Sequence, residues 1–429
     1  MNKALLLFTF LLSNYISAQI EVDSASYYYE KGFFGKGIKY CELVKKDLEE
    51  KNEANSNDYI VNANNLAIFY EFDEKFDKSE LNYLLSIKLR KKTNENSLEY
   101  INSLQQIGSF YKKIGNESNY EKYLLEEINI MKKYFGTNNL EYLKTLFVVV
   151  TFYIGNRNFS QAEKYVIEKL EYCRVYFGKA NKYEQFNLWE LALVYKELNN
   201  LESAKFYFLK CLELQKKVFE TDNLDLNNTL YELSDIYRKN KEYSIAEFYV
   251  NQCIISRNKI LGELNLDYIR ALDLKGKIYT ENEQFEKAEN ILLKALKLRD
   301  KLTDKAEYER TINNLGILYF DKGDLQNAEY YLLKCLDTPK IKKNQNLVIL
   351  TNLGILYSNQ QKYTTAESYL LESLKIINLN NLSNIYDKIR VLKALGNLYG
   401  YINDFDKAEF YYYQSLEINK SSYGESSIN

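Results

Sequence analysis

The side chains of this chain that could carry chemistry are its carboxylates and five cysteines, because the sequence contains no histidine. Without histidine there is no Ser/His or Cys/His dyad, no histidine-bound zinc and no imidazole base near neutral pH. The cysteines form no Cys-x-x-Cys pair, and no glycine-rich phosphate-binding motif occurs. Neighbouring carboxylates such as Glu126-Glu127 are typical of solvated helix faces. We therefore expect no catalysis, no cofactor and no metal site.

The charge balance argues against two classes of partner. The 57 basic and 59 acidic residues leave a formal charge of −2, so no long-range field attracts nucleic acid or an anionic membrane. Beyond the amino terminus, no apolar stretch is long enough to cross a bilayer. We expect a protein or peptide partner, no nucleic acid, and no stable membrane insertion after signal removal.

The elements that would position binding side chains are helical hairpins. The stretch 310–336 carries two apolar stripes at helical period, and Gly323 stands in the break between them. Gly316 on the first stripe and Ala328 on the second are small where the two helices must touch. Tyr319 closes the first stripe.

This hairpin pattern recurs ten times along residues 19–429. The small residue of the second helix falls at Gly37, Ser79, Tyr120, Ala162, Ala204, Ala246, Ala288, Ala328, Ala366 and Ala408, with Tyr120 as the exception in size. Nine residues before these positions stand Tyr28, Tyr70, Tyr111, Tyr153, Tyr195, Tyr237, Tyr279, Tyr319, Tyr357 and Tyr399. A period this regular indicates a solenoid rather than a globular core.

The repeat resembles the tetratricopeptide repeat, whose signature places Leu, Gly and Tyr on the first helix and Ala, an aromatic residue and Ala on the second. Its period near 42, with tails such as Tyr134-Phe135-Gly136 and Tyr176-Phe177-Gly178, is similar to the longer repeat of kinesin light chains and many bacterial relatives. Glycine there suits a helix C-cap. The resemblance implies an all-α, right-handed superhelical solenoid of about ten antiparallel helix-turn-helix repeats. It also implies a concave groove, lined by the first helices, that holds peptides or partner helices.

The third and fourth repeats depart from the pattern. Seven residues after the small position the second helix is again small in most repeats, but Glu127 and Lys169 occupy that position here. Tyr120 stands at the small position itself.

The candidate groove residues form a polar section followed by an apolar one. Repeats 2 and 3 contribute amides, which can donate to and accept from a peptide backbone. These amides are Asn64, Asn65, Asn102, Gln105 and Gln106. Repeats 4 and 5 contribute the apolar side chains Phe147, Val148, Phe186, Trp189 and Leu193. Trp189, the one tryptophan, is the predicted contact centre. The alternative is that these apolar side chains only pack against neighbouring helices.

The amino terminus predicts export. Lys3 supplies positive charge, residues 4–12 are apolar, and Ser17-Ala18 ends the run with small residues. We expect a signal peptide over residues 1–18, cleavage after Ala18, and a bacterial protein that acts in the periplasm or outside the cell.

Taken together, the sequence predicts a non-catalytic scaffold that binds protein or peptide partners in the groove outside the cytoplasm. The alternative is that the array is the recognition arm of a longer protein. Such a protein would carry a C-terminal CHAT (caspase-like) peptidase or a sensor kinase domain that is not present in this chain.

Overall fold

The computed structural model describes residues 23–136, 139–218, 223–302, 307–336, 346–379 and 385–423. Across these ranges the chain forms twenty α-helices and no strand, so the predicted all-α repeat fold is confirmed. The predicted signal peptide over residues 1–18 lies outside the described residues.

Each repeat is a pair of helices, and the chain divides into two compact units, Met1–Lys179 and Ala180–Asn429. The helices of the first unit are α1 (Asp23–Glu30), α2 (Phe34–Glu50), α3 (Asn57–Phe72), α4 (Phe76–Asn94), α5 (Leu98–Lys113), α6 (Glu117–Phe135), α7 (Leu140–Gly155) and α8 (Phe159–Phe177). Those of the second are α9 (Lys182–Glu197), α10 (Leu201–Val218), α11 (Leu224–Lys239), α12 (Tyr243–Leu261), α13 (Leu266–Glu281), α14 (Phe285–Lys301), α15 (Tyr308–Asp321), α16 (Leu325–Leu336), α17 (Asn346–Asn359), α18 (Tyr363–Leu379), α19 (Ile385–Tyr401) and α20 (Phe405–Tyr423). Odd numbers are thus first helices and even numbers second helices.

The ends of the helices follow from local capping. Asn139, Asn181, Asn223 and Asn265 precede α7, α9, α11 and α13, and each side chain accepts a hydrogen bond from a backbone N–H of the first turn. Gly136 and Gly178 follow α6 and α8 with φ of 71° and 79°, in the left-handed region that suits glycine. Their predicted role as C-caps is confirmed.

The helix pairs touch where the small residues stand. Ala328 is fully buried, and the ideal position of a Cβ on Gly316 of the facing helix lies 2.7 Å from Leu332 Cγ. The same contact recurs between Gly276 and Leu292 and between Gly354 and Leu370. The glycines therefore let the leucine of the second helix approach the backbone of the first.

The recurrent tyrosines join successive repeats. In several repeats the tyrosine hydroxyl donates to a glutamate on the second helix of the preceding repeat. The pairs are Tyr70–Glu42, Tyr111–Glu80, Tyr153–Glu121, Tyr279–Glu247, Tyr319–Glu289, Tyr357–Glu329 and Tyr399–Glu367. Between repeats 5 and 6, Lys205 of α10 occupies the glutamate position, and its Nζ lies 5.8 Å from the centroid of the Tyr237 ring. Within each unit, these repeats are thus tied to the preceding repeat by a polar contact as well as by packing.

The second small position of each hairpin forms a contact of its own. Cys211, Cys253 and Cys335 are fully buried, and each Sγ donates to a backbone carbonyl of the first helix at 3.4–3.5 Å. Ser373 makes the same bond to Leu347 at 3.2 Å. A short side chain at this position therefore closes the hairpin.

Candidate partner-binding site

A cavity of about 700 Å³ lies in the first unit, between α5 and α7, the first helices of repeats 3 and 4. The second helix of repeat 3, α6, also lines it. Its volume lies in the range of small-molecule and peptide pockets. The helix α5 contributes Leu98, Asn102 and Gln105, and α7 contributes Lys144 and Val148. The lining is mostly apolar with a few polar groups, which is the composition expected of a binding pocket.

The cavity coincides with the repeat in which the small crossing residue is replaced. Tyr120 occupies that position on α6, and its ring contacts the Phe152 ring edge-on with centroids 5.1 Å apart. A Cβ on Gly108, the facing residue of α5, would meet only Tyr120 within 4 Å, at 3.7 Å, and not Leu124. In repeats 7, 8 and 9 the equivalent leucine makes this contact. In repeat 3 Tyr120 takes the contact with Gly108, and Leu124 lines the cavity instead.

Glu127 lines the same cavity at the second small position of its repeat. It is 7% exposed, and its Oε1 accepts hydrogen bonds from Gln105 Nε2 at 2.8 Å and from Thr145 Oγ1 at 3.4 Å. No cation forms an ion pair with this carboxylate among the described residues, and Oε2 accepts no hydrogen bond from them. Burial raises the pKa of Glu127 to about 7, although the bonds from Gln105 and Thr145 act in the opposite direction. The cavity therefore contains a carboxylate that titrates near neutral pH.

The other polar side chains of the cavity differ in whether they have an ion-pair or hydrogen-bond partner. Lys144 and Glu141 form an ion pair at 2.6 Å on α7, so their charges cancel locally. Asn102 is half-buried, and its side-chain amide has no hydrogen-bond partner in the described part of the chain. Its donor and acceptor are thus available to a bound backbone.

The structure brings together three of the predicted groove residues, Asn102, Gln105 and Val148, in this cavity. Asn64, Asn65 and Gln106 are half-buried on α3 and α5 and do not line it. Asn64 keeps a buried Oδ1 without a partner among the described residues. Phe147, also outside the cavity, is 50% exposed, and Lys169 Nζ lies 5.2 Å from its ring centroid.

The other three predicted residues belong to α9 of the second unit. Trp189 and Leu193 are partly buried against the core formed by Ala192, Phe208 and neighbouring residues of repeats 5 to 7. The indole Nε1 of Trp189 is buried without a hydrogen-bond acceptor in the described chain. Phe186 is exposed. Trp189 thus contributes to packing in its own unit, as the alternative interpretation proposed, and still has an unused donor.

The first helix of repeat 6, α11, carries charged side chains that are paired with one another or with residues of the neighbouring repeats. Arg238 donates to Asp235 at 2.7 Å and also pairs with Glu281, while Lys196 Nζ lies 2.5 Å from Glu232. Burial opposes the ionisation of Asp235, but Arg238 and neighbouring lysines outweigh it and lower its pKa to about 2. These paired charges offer no free charged patch for a ligand.

Glu127, Tyr120 and Thr145 are the site residues that were not predicted. The expectation that the Glu126-Glu127 pair is a solvated face is wrong for Glu127, because α5 and α7 cover it. The sequence contained an indication of Tyr120 and Glu127, because they occupy two register positions that carry small residues in most other repeats.

The fold and the cavity define a class, an all-α repeat scaffold of a kind consistent with protein–protein interaction. Tetratricopeptide-repeat family models match residues 187–218, 267–340 and 345–421. These residues therefore form tetratricopeptide repeats, as the sequence resemblance indicated. No curated protein matches the sequence.

Solved structures with the same fold share little sequence with this chain. The apo form of the quorum sensor NprR from B. thuringiensis is 16% identical, with a TM-score of 0.54 over 87% of this chain and 99% of that chain. Apo RapI is 15% identical, with a TM-score of 0.53 over 81% and 96%. A tetratricopeptide repeat protein from Parabacteroides merdae is 15% identical, with a TM-score of 0.46 over 66% and 96%. At these identities the first two likenesses show the fold alone.

None of the described helices combines the length and the hydropathy that crossing a bilayer requires.

Proposed function

We propose that this protein is a non-catalytic scaffold that binds a peptide segment of a protein partner in the cavity between α5 and α7. The proposal rests on one observation: three of the residues predicted from the repeat register line the same cavity. They are Asn102, Gln105 and Val148. The apolar walls would take a side chain, and the free Asn102 amide would bind a peptide group.

The sequence supports a peptide better than a nucleic acid or a charged surface. The chain has a formal charge of −2, and the charges of repeat 6 are paired with one another. The cavity wall is mostly apolar, and the ion pair at its edge joins Lys144 to Glu141. Recognition would therefore rest on shape and hydrogen bonds rather than on long-range attraction.

The experiment is a screen of a blocked heptapeptide library against the whole chain, followed by affinity measurements on the selected peptides. Val148→Glu places a charge in the apolar wall, and Asn102→Leu removes the free amide at similar size. Each is expected to weaken binding about fivefold or more, because an unsatisfied polar group of the peptide or a buried charge costs at least about 1 kcal/mol.

Val175→Glu is the matched control. Val175 lies on α8 of the same unit, is 76% exposed and does not line the cavity. Its replacement should leave affinity unchanged. Peptides that bind wild type, Val148→Glu and Val175→Glu equally well would show that the cavity is not the binding site.

The proposal includes a location outside the cytoplasm, supported by Lys3, the apolar run 4–12 and Ser17-Ala18. Amino-terminal sequencing of the protein from its host should find Gln19 first, and intact Met1 in the cytoplasm would overturn this part. The alternative, a recognition arm joined to a CHAT peptidase or a sensor kinase domain, would use the same cavity. Sequencing the gene beyond the codon for Asn429 tests it.

A further inference from the structure

Glu127 is an acidic cavity group whose chemistry the proposed function does not use. Its register position carries small side chains in most other repeats, among them Ser86, Cys211, Cys253, Ala295, Cys335, Ser373 and Ser415. In repeats 5, 6 and 8 the cysteine at this position closes the hairpin through a backbone carbonyl. Glu127 makes no such bond and instead lies between α5 and α7. The carboxylate therefore has no packing role of the kind its equivalents have.

A buried carboxylate is normally stabilised by a cation or by several hydrogen bonds. Glu127 receives two bonds from neutral donors, both at Oε1, and no cation of the described chain pairs with it. Lys144, the cation that lines the cavity, is paired with Glu141. The cavity thus has room, an apolar wall and an uncompensated acidic group.

We propose that the cavity binds a lysine or arginine side chain of the partner peptide, with its aliphatic stem against Leu98, Leu124 and Val148 and its cationic head on Glu127. This inference rests on the proposed function and names the residue class that the site selects. A lysine or arginine side chain matches the lining because an apolar stem leads to a charged head. The half-buried Asn102 amide lies in the same lining, so a peptide backbone can be held beside the stem.

The protonation of Glu127 gives the selection a pH dependence. The lining residues of α5 carry no charge, α7 presents the paired Lys144 and Glu141, and α6 presents Tyr120 and Glu127 itself. Since the pKa of Glu127 is about 7, the carboxylate is mostly protonated at pH 6 and mostly ionised at pH 8. Lysine and arginine stay charged over this range. Affinity for a basic peptide should therefore rise about tenfold from pH 6 to pH 8, in proportion to the ionised fraction.

The test uses the peptides selected by the library screen, each synthesised with its lysine replaced by norleucine or its arginine by citrulline. Wild type should bind the basic form at least tenfold more tightly than the neutral form at pH 8, and the difference should shrink at pH 6. Glu127→Gln keeps the shape and removes the charge, so it should bind both forms alike at both pH values.

Glu126→Gln is the matched control on the same helix. Glu126 does not line the cavity, and it accepts hydrogen bonds from Lys91 and Tyr100. This variant should keep the preference for the basic peptide.

The outcomes separate the two proposals. Peptides that lose affinity on Asn102→Leu but show no preference for a basic residue would overturn the inference and leave the proposed function standing. Peptides that bind without any effect of Asn102→Leu would overturn both. If Glu127→Gln keeps the preference for basic residues, another anionic group recognises them, and the proposed role of Glu127 is rejected.

Discussion

At the scale of single residues, the cavity depends on two replacements of a small side chain. Tyr120 takes the contact with Gly108 that a leucine makes in repeats 7, 8 and 9, and Glu127 carries an acidic group into the cavity beside it. The two glutamates of the pair 126–127 therefore differ in environment although they are adjacent. Glu126 bonds to Lys91 and Tyr100, whereas Glu127 bonds to the neutral Gln105 and Thr145.

This difference predicts opposite effects of pH on stability. Burial raises the pKa of Glu127 from an ordinary 4.5 to about 7. The folded state thus binds the Glu127 proton more tightly than the unfolded state does. The stability that this proton contributes is present below pH 4.5 and is lost as pH rises to about 7. Glu127→Gln, which cannot ionise, should gain stability over wild type by on the order of 3 kcal/mol between pH 4.5 and pH 8.

Chemical denaturation of both variants at several pH values measures the effect. Burial also acts on Glu126, but the hydrogen bonds from Lys91 and Tyr100 outweigh it and lower the pKa of Glu126. Its contribution is present above the unfolded pKa and is lost as pH falls, so Glu126→Gln should lose stability at pH 8 rather than gain it. Equal pH profiles for wild type and Glu127→Gln would contradict the buried, titrating carboxylate.

At the scale of helices, the hairpin depends on close approach at the small residues. Gly276, Gly316 and Gly354 each face a leucine of the partner helix at a distance that leaves no room for a Cβ. The small residues of the repeat signature therefore mark the positions where two helices pack closely. A larger residue at one of these positions indicates looser packing.

Gly316→Ala should destabilise repeat 8 by about 1–3 kcal/mol, because the added methyl would lie 2.7 Å from Leu332 Cγ. The control is Gly400→Ala in α19, where nothing lies within 4 Å of the new Cβ. Since alanine is favoured over glycine within a helix, the control should be neutral or stabilise by up to about 1 kcal/mol. Denaturant unfolding followed by hydrogen exchange on α15 and α16 measures both, and equal effects of the two substitutions would argue against steric packing at Gly316.

At the scale of the whole molecule, stability is a sum of repeat contributions and contacts between neighbours. In the second unit, one core cluster runs from Ala192 to Ile278 and another from Tyr279 to Ala408. Within each unit, neighbouring repeats are joined by helix packing and, at the pairs named above, by a tyrosine–glutamate bond. A local defect should therefore loosen its neighbours more than distant repeats.

Tyr319→Ala should cost about 3–5 kcal/mol, as for other buried aromatic residues, and should raise hydrogen exchange mainly in α13 to α18. Tyr319 packs in the second of the two clusters, stacks on Tyr331 and donates to Glu289. The helices α9 to α11 should keep their protection. Tyr319→Phe retains the ring and should cost only about 1 kcal/mol, the contribution of one hydrogen bond. Exchange that rises equally over α9 to α20 would contradict the neighbour-only coupling.

The helical hairpins, their number and the faces they bury could be predicted from the sequence, because these depend on local period and on small residues repeated at fixed spacing. Asn102, Gln105 and Val148 could be placed on first helices for the same reason. The cavity itself could not be predicted, because it depends on how the side chains of three helices, α5, α6 and α7, pack and where they leave space. The environment of Glu127 also required the tertiary structure, since burial comes from helices that lie some twenty residues away in sequence on either side, at Gln105 and Thr145.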